Sequence, residues 1–274
     1  MQLSIVLSTH PAQFQAATFK GDLADNLSRI AALGYDGVEL AVRDPRQVDA
    51  SALVDLVSSH RLLVPAIGTG QAWGEEGLSF TSTDPAVRAA ALDRAASHVP
   101  LAARLEAIII VGLLRGVTPG GQTHEQSMAY LVEALQVTCA TAAEKSVRVA
   151  LEPLNRYETD LVNTAGDGLA LIERVCAPNL GLLLDTFHMN IEEASIEQSI
   201  LDCGPRLFHF HVADSNRWHP GAGHLDFAAI LETLAKSGYR GFISGEFLPR
   251  PDALTAAERG LAHLRRITND QRAG

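Results

Sequence analysis

Short apolar runs, rich in β-branched residues, alternate along this chain with longer stretches whose apolar positions recur every three or four residues. The runs carry few polar positions, as strands buried on both faces do, and the intervening stretches have the period of helices packed on one side. Strands are predicted at 3–7, 38–41, 62–68, 107–113, 147–151, 180–184, 207–212 and 241–245, the second with Glu39 inside it. Helices are predicted at 22–33, 51–60, 85–103, 124–144, 167–175, 195–201, 226–237 and 255–268. Asp22 can cap the first and Gly34 can stop it; Pro85 suits a first turn, and Gly238 ends the seventh. A long loop is expected at 71–83 and a glycine-rich turn at 116–121. Eight strand-then-helix units with buried strands argue for one parallel (β/α)₈ TIM barrel spanning 1–274 as a single domain. A doubly wound open sheet is the alternative, but no GxGxxG follows the first strand.

Composition narrows the function without changing the fold. The 47% hydrophobic content of these 274 residues supports a sizeable core. Lys+Arg 22 against Asp+Glu 32 gives a net charge of −10 with no basic run, which argues against a nucleic-acid partner. No apolar run has membrane-spanning length, and Met1-Gln2-Leu3 leads straight into the first strand, so neither a membrane partner nor a signal peptide is expected. Cys139, Cys176 and Cys203 form no CxxC pair and read as free thiols, consistent with a cytoplasmic location.

The chemistry is concentrated where strands end. The fifth strand runs into Glu152 and then Pro153, which has no N–H for a ladder, so the strand stops with a carboxylate at its tip. The next three strands end at Asp185, His211 and Glu246. In a TIM barrel those ends share one rim, where the active site lies. Three carboxylates there would repel one another; with a histidine they make a site for one divalent cation, Mn²⁺ first, with Mg²⁺, Co²⁺, Zn²⁺ and Fe²⁺ also compatible. Glu158, His188 and Arg217 follow three of these ligands closely, on loops where a polyhydroxylated substrate would need partners. Arg43 and Arg115 follow the second and fourth strands, and either could clamp a substrate carboxylate bidentately.

The segments EPLNRYETDLVNT, LLLDTFHMNIEE, FHFHVADSNRW and SGEFLP resemble the sugar isomerase/epimerase branch of the xylose-isomerase-like barrels, and most of all its ketose 3-epimerases of the tagatose and psicose type. KGDL, VELAVRDP, AIGTGQA and GLLRG are similar to the 5-keto-L-gluconate epimerase group. This resemblance implies a metal held by Glu152, Asp185, His211 and Glu246 and chelated by the substrate's ketone and neighbouring hydroxyl. It implies that Glu152 and Glu246, on opposite faces of the sugar, remove and return the C3 proton through an enediolate. It further implies that Glu158, His188 and Arg217 contact hydroxyls near C1 and C2, and that the chain forms a dimer or tetramer. Where neutral-sugar relatives carry aromatics just after the first strand, this chain has Ser8-Thr9-His10-Pro11, so a different distal pocket is expected. With Arg43 and Arg115 this favours a keto-sugar acid, of the 5-keto-L-gluconate or D-tagaturonate type, over a neutral ketose. An aldose–ketose isomerase and a non-catalytic sugar-binding protein are the alternatives. A DNA-repair endonuclease is disfavoured, because Gly68-Thr69 and Gly112-Leu113 supply no further metal-binding histidines.

Overall fold

The computed structural model describes residues 1–273, with side chains through 268. Its parallel strands are β1 (Gln2–Ser8), β2 (Phe19–Lys20), β3 (Gly37–Ala41), β4 (Ala66–Gly68), β5 (Ile108–Val111), β6 (Val149–Leu151), β7 (Leu180–Asp185), β8 (Leu207–Val212) and β9 (Phe242–Gly245). β1 pairs with β3, each strand from β3 to β8 pairs with the next, and β9 returns to β1 through Gln2↔Phe242 to Ile5↔Gly245, which closes the ring. The short β2 pairs with the other end of β1, at Leu7↔Phe19. The closed eight-stranded barrel predicted from the sequence is therefore present, with β2 as an added flap.

Helices α1 (Leu23–Leu33), α2 (Ala50–Ser59), α3 (Gln71–Glu76), α4 (Pro85–Leu105), α5 (His124–Ala143), α6 (Ala165–Val175), α7 (Thr186–Glu192), α8 (Ile196–Cys203), α9 (Phe227–Lys236) and α10 (Ala253–Ala273) surround the strands. Their starts follow ordinary capping chemistry: Asp49, Asp84, Asp226 and the capping boxes Thr123/Gln126 and Thr164/Asp167 satisfy the first free N–H groups. Gly34, with φ of 92°, makes the left-handed stop of α1. Among the described residues no helix is long and apolar enough to cross a membrane.

The alternation of strand side chains sorts the core into two parts. Outward residues such as Ile5, Leu40, Ile109, Leu182 and Phe210 pack in the layer beneath the helices. Inward Ala66, Ile108, Ile110, Ala150 and Leu183 fill the lower barrel. Three expectations are corrected here. The predicted third strand shortens to β4, with Leu63 reaching Gly37 only through an isolated bridge. The stretch 71–83 contains α3, and the residues after Asp185, read as loop, form α7 with the Asp185 side chain accepting from the Phe187 N–H.

Candidate active site and metal centre

Parallel strands bring their C-terminal ends to one rim, so residues far apart in sequence meet there. Glu152 follows β6, Asp185 ends β7, His211 lies near the end of β8, and Glu246 follows β9. Each offers one ligand atom, and these atoms all lie within 4.8 Å of one another. His211 Nδ1 is 3.9 Å from both Glu152 Oε1 and Glu246 Oε1. All four side chains are buried, yet Glu152 Oε1, Asp185 Oδ2 and His211 Nδ1 have no hydrogen-bond partner among the described residues. Buried polar atoms without partners are costly, and three of them converging on one point fit a cation. Three carboxylates and an imidazole form a suitable donor set for a divalent ion.

Electrostatics reinforce this fit. Burial pushes Glu152 well above the usual carboxylate range, with the Glu246 charge adding to it while His211 opposes. Burial likewise raises Glu246, to about 7, against the pull of His211 and Arg217, and it raises Asp185 against the same two cations. For His211, burial disfavours the charged ring, but Glu39 and then Glu246 and Glu152 outweigh it and lift the ring to about 10. The crowded carboxylates hold protons tightly because they have too little positive charge nearby, and a divalent ion would supply it.

Around this cluster the predicted substrate contacts assemble as a linked set. Arg217 Nη1 donates to Glu158 Oε1 at 3.0 Å, and its Nη2 lies 3.5 Å from Glu246 Oε2. Its guanidinium also stacks over Phe187, 4.7 Å from the ring centroid. Asn155 donates to His188 Nδ1 from both its backbone N–H (3.2 Å) and its side-chain amide (2.8 Å). That leaves the His188 proton on Nε2, 3.9 Å from Glu152 Oε1 and 3.8 Å from Asp185 Oδ2. The loop bearing Arg217 wraps around one carboxylate: Asp214 accepts from the N–H groups of Ser215, Gly221 and Leu225. Arg217 itself holds a left-handed backbone with φ of 60°.

The ligand atoms open into a cavity of about 270 Å³. Phe14, Trp73, Ile110 and Leu113 supply apolar lining, and Glu158, His188 and Arg217 supply polar lining, with the Arg217 guanidinium 5.7 Å from the Phe14 ring centroid. The aromatic surface missing immediately after β1 is thus supplied by Phe14 and by Trp73 of α3. Gln71 also lines the cavity; its amide donates to Ser8 Oγ at 2.8 Å, while its Oε1 is buried with no partner among the described residues.

Two residues singled out as carboxylate clamps are placed otherwise. Arg115 is fully buried, and its guanidinium donates to the backbone carbonyls of Gly112, Val162 and Val111. Arg43 pairs with Glu75 at 2.9 Å and with Glu76 at 3.5 Å. Neither lines the cavity. In both cases nearby acceptors capture the guanidinium before it can reach a ligand. Conversely, Glu39 was noted only as a strand residue. It accepts from His209 and His211, and lines the cavity. The available signal was a charge inside an apolar strand together with two histidines, 209 and 211, sharing one strand face.

Comparison with known proteins agrees with this fold. Residues 27–267 match the family described as xylose isomerase-like TIM barrel. An L-ribulose 3-epimerase of Methylomonas sp. (strain DH-1) is 39% identical over 222 residues, covering 79% of this chain and 75% of that protein. A 3-dehydro-D-guloside 4-epimerase of Escherichia coli (strain K12) is 37% identical over 134 residues, 48% of this chain and 51% of that protein. The crystal structure of a D-allulose 3-epimerase from Methylomonas sp., in complex with D-allulose, superposes with a TM-score of 0.82 at 28% identity, covering 97% of this chain and 96% of that one.

Proposed function

Since the chain belongs to the xylose isomerase-like TIM barrel family, with ketose 3-epimerases among its relatives, we propose that it inverts the hydroxyl-bearing carbon next to the ketone of a ketose. The observation that carries this reading is the convergence of unpartnered buried atoms from Glu152, Asp185 and His211, with Glu246 beside them. A divalent cation held by these four residues would act as a Lewis acid toward the ketone oxygen and its neighbouring hydroxyl, making the C3 proton acidic. Mn²⁺ is the ion we assign first, as one suited to a carboxylate-rich site with one imidazole.

The protein's own groups then divide the work. Inversion needs a base on one face of the carbon and an acid on the other, because a single group would tend to restore the starting configuration. Glu152 and Glu246 come from different strands and are the two carboxylates for these roles. Arg217 lies 3.5 Å from the second oxygen of Glu246, an attraction that restrains that side chain. His188 donates through Nε2 to a substrate oxygen beside Glu152, and Glu158 accepts from a substrate hydroxyl. The apolar wall at Phe14 and Trp73 excludes water from the reacting face.

A neutral ketose is the substrate class these walls support. The sugar-acid reading rests on the 5-keto-L-gluconate epimerase resemblance, on the missing aromatics after the first strand and on Arg43 and Arg115, and the guanidinium groups of those two arginines are engaged elsewhere. Gln71 Oε1 offers an acceptor, which suits a hydroxyl and repels a carboxylate. The Escherichia coli relative motivates a second reading, inversion at C4 beside a 3-keto group, which asks the same chemistry of the site. The test is NMR in D₂O with Mn²⁺ added and then chelated before recording, over L-ribulose, D-psicose, D-tagatose, 5-keto-L-gluconate and a 3-keto-glucoside. Deuterium at C3 of a neutral ketose is expected. Label at C1 or C2 would make the enzyme an aldose–ketose isomerase, and binding without exchange would make it a sugar-binding protein. Dimer or tetramer assembly in a reducing cytoplasm belongs to the same reading. It is supported by the exposed Tyr157 near the site and by three unpaired cysteines, and light scattering checks the assembly.

A further inference from the structure

Glu39 is a carboxylate in the middle of β3, 2% exposed, inside a strand that is otherwise apolar apart from its first glycine. It faces β8 across the barrel interior. Its Oε2 lies 2.8 Å from His209 Nε2 and 2.9 Å from His211 Nε2, and its Oε1 lies 3.0 Å from His211 Nε2. Successive inward positions of one strand bring the two rings together, edge to face, with centroids 5.2 Å apart.

An ionised carboxylate has no proton to give, so both rings must carry theirs on Nε2. The consequence is decisive for His211. With Nε2 committed as donor, Nδ1 is the ring atom that gives up its proton and presents a lone pair when an ion binds, and Nδ1 is the atom lying 3.9 Å from Glu152 and Glu246 with no partner among the described residues. The opposite tautomer would point an N–H at the ligand cluster and close it to a cation. We propose that Glu39 is a positioning residue of the metal centre, fixing the tautomer and ring plane of His211, with His209 as the second donor that holds Glu39 in place. This rests on the metal-centre reading of Glu152, Asp185, His211 and Glu246.

Glu39, His209 and His211 also have the composition of a separate ion site. Their facing atoms, however, are already joined to one another at 2.8 to 3.0 Å. Hydrogen bonding satisfies them without an ion, unlike Glu152 Oε1, Asp185 Oδ2 and His211 Nδ1.

Glu39→Gln tests the assignment, because its amide keeps the size of the side chain but must donate to one of the two rings. Calorimetric titration of the metal-free protein with Mn²⁺ should show one ion per chain, with affinity about 10- to 100-fold weaker in Glu39→Gln. ¹⁵N NMR of the wild-type protein loaded with diamagnetic Zn²⁺ should place the His211 proton on Nε2, a readout that a purely structural role would not require and that needs no variant to fold. His209→Gln, which keeps a donor toward Glu39, should retain Mn²⁺ affinity within about threefold, since the His211 contact is untouched. A folded Glu39→Gln that binds Mn²⁺ within threefold of wild type overturns the proposal. So does a His211 lacking the Nε2 proton in the loaded protein, or two ions per chain of which one depends on Glu39. A wild-type chain that binds no divalent ion overturns the metal-centre reading as well, which separates that failure from this one.

Discussion

Glu246 turns one oxygen toward His211, at 3.9 Å, and the other toward Arg217, at 3.5 Å. Glu246→Gln keeps the shape of this side chain but abolishes proton transfer at one face of the substrate. C3 deuterium exchange should fall by about 10²- to 10⁴-fold with the circular dichroism spectrum unchanged. Arg115 predicts the opposite pattern. Its guanidinium ties three backbone carbonyls together in a fully buried position, so Arg115→Ala should cost on the order of 3–5 kcal/mol of stability, read from the denaturant midpoint. The ratio of kcat/KM between a keto-hexonate and a neutral ketose should stay unchanged. A selective rise in KM for the hexonate would restore Arg115 as a substrate clamp.

At the scale of elements, the turn after β5 makes room for a ligand. A Cβ added at Gly112 would lie 2.8 Å from Glu152 Oε2, so Gly112→Ala should displace that carboxylate. Mn²⁺ affinity measured by calorimetry should drop at least tenfold, while thermal stability falls far less than in Arg115→Ala. The loop after β8 has its own pH limit. Burial favours the protonated form of Asp214, but the N–H groups of Gly223, Leu225, Ser215 and Gly221 outweigh it and hold the carboxyl below its ordinary range. A depressed carboxyl stabilises the fold fully above its unfolded value, and that contribution disappears as pH falls through the folded value. Protection of the amides over 214–225, measured as observed exchange relative to the intrinsic rate at each pH, should therefore fall on acidification, and Asp214→Asn should show low protection already at neutral pH.

These elements also show which parts of the molecule the sequence made legible. Strand-end acids announce themselves because a residue such as Glu152 interrupts an apolar run just before a proline. The four strand-end candidates, Glu152, Asp185, His211 and Glu246, were readable in this way, and the structure gathers them into one cluster; Glu158, His188 and Arg217 line the cavity beside it. Short helices were harder: α3 and α7 span six and seven residues, too few for a periodic pattern to stand out from a loop. Arginine reach was harder still. Arg43 and Arg115 sit at the predicted strand ends, but their partners depend on where Glu75 and the Val162 carbonyl fall in space. Glu39 was visible as an anomaly, and its partners lie 170 and 172 positions away.

The molecule as a whole carries a net charge of −10, and part of that charge is crowded at the ligand cluster. Ion binding should therefore raise global stability. Mn²⁺ at 100 times its dissociation constant is expected to add about 2.7 kcal/mol, or roughly 5–10 °C in Tm for a chain of this size, and a chelator should reverse the shift. Scanning calorimetry with and without the ion checks this, and a Tm insensitive to divalent ions would argue against the centre. The bridge from Glu39 to β8 bears on how the chain acquires that stability. The first of the four candidate ligands appears at residue 152 and the last at 246, while Glu39, which is hydrogen-bonded to His211, sits in β3. A partly folded chain, or one still emerging during synthesis, lacks the complete centre until β9 has docked against β1. Capture of the ion should thus act as a clock for ring closure, arriving with the slowest refolding phase, after most of the helical signal has returned.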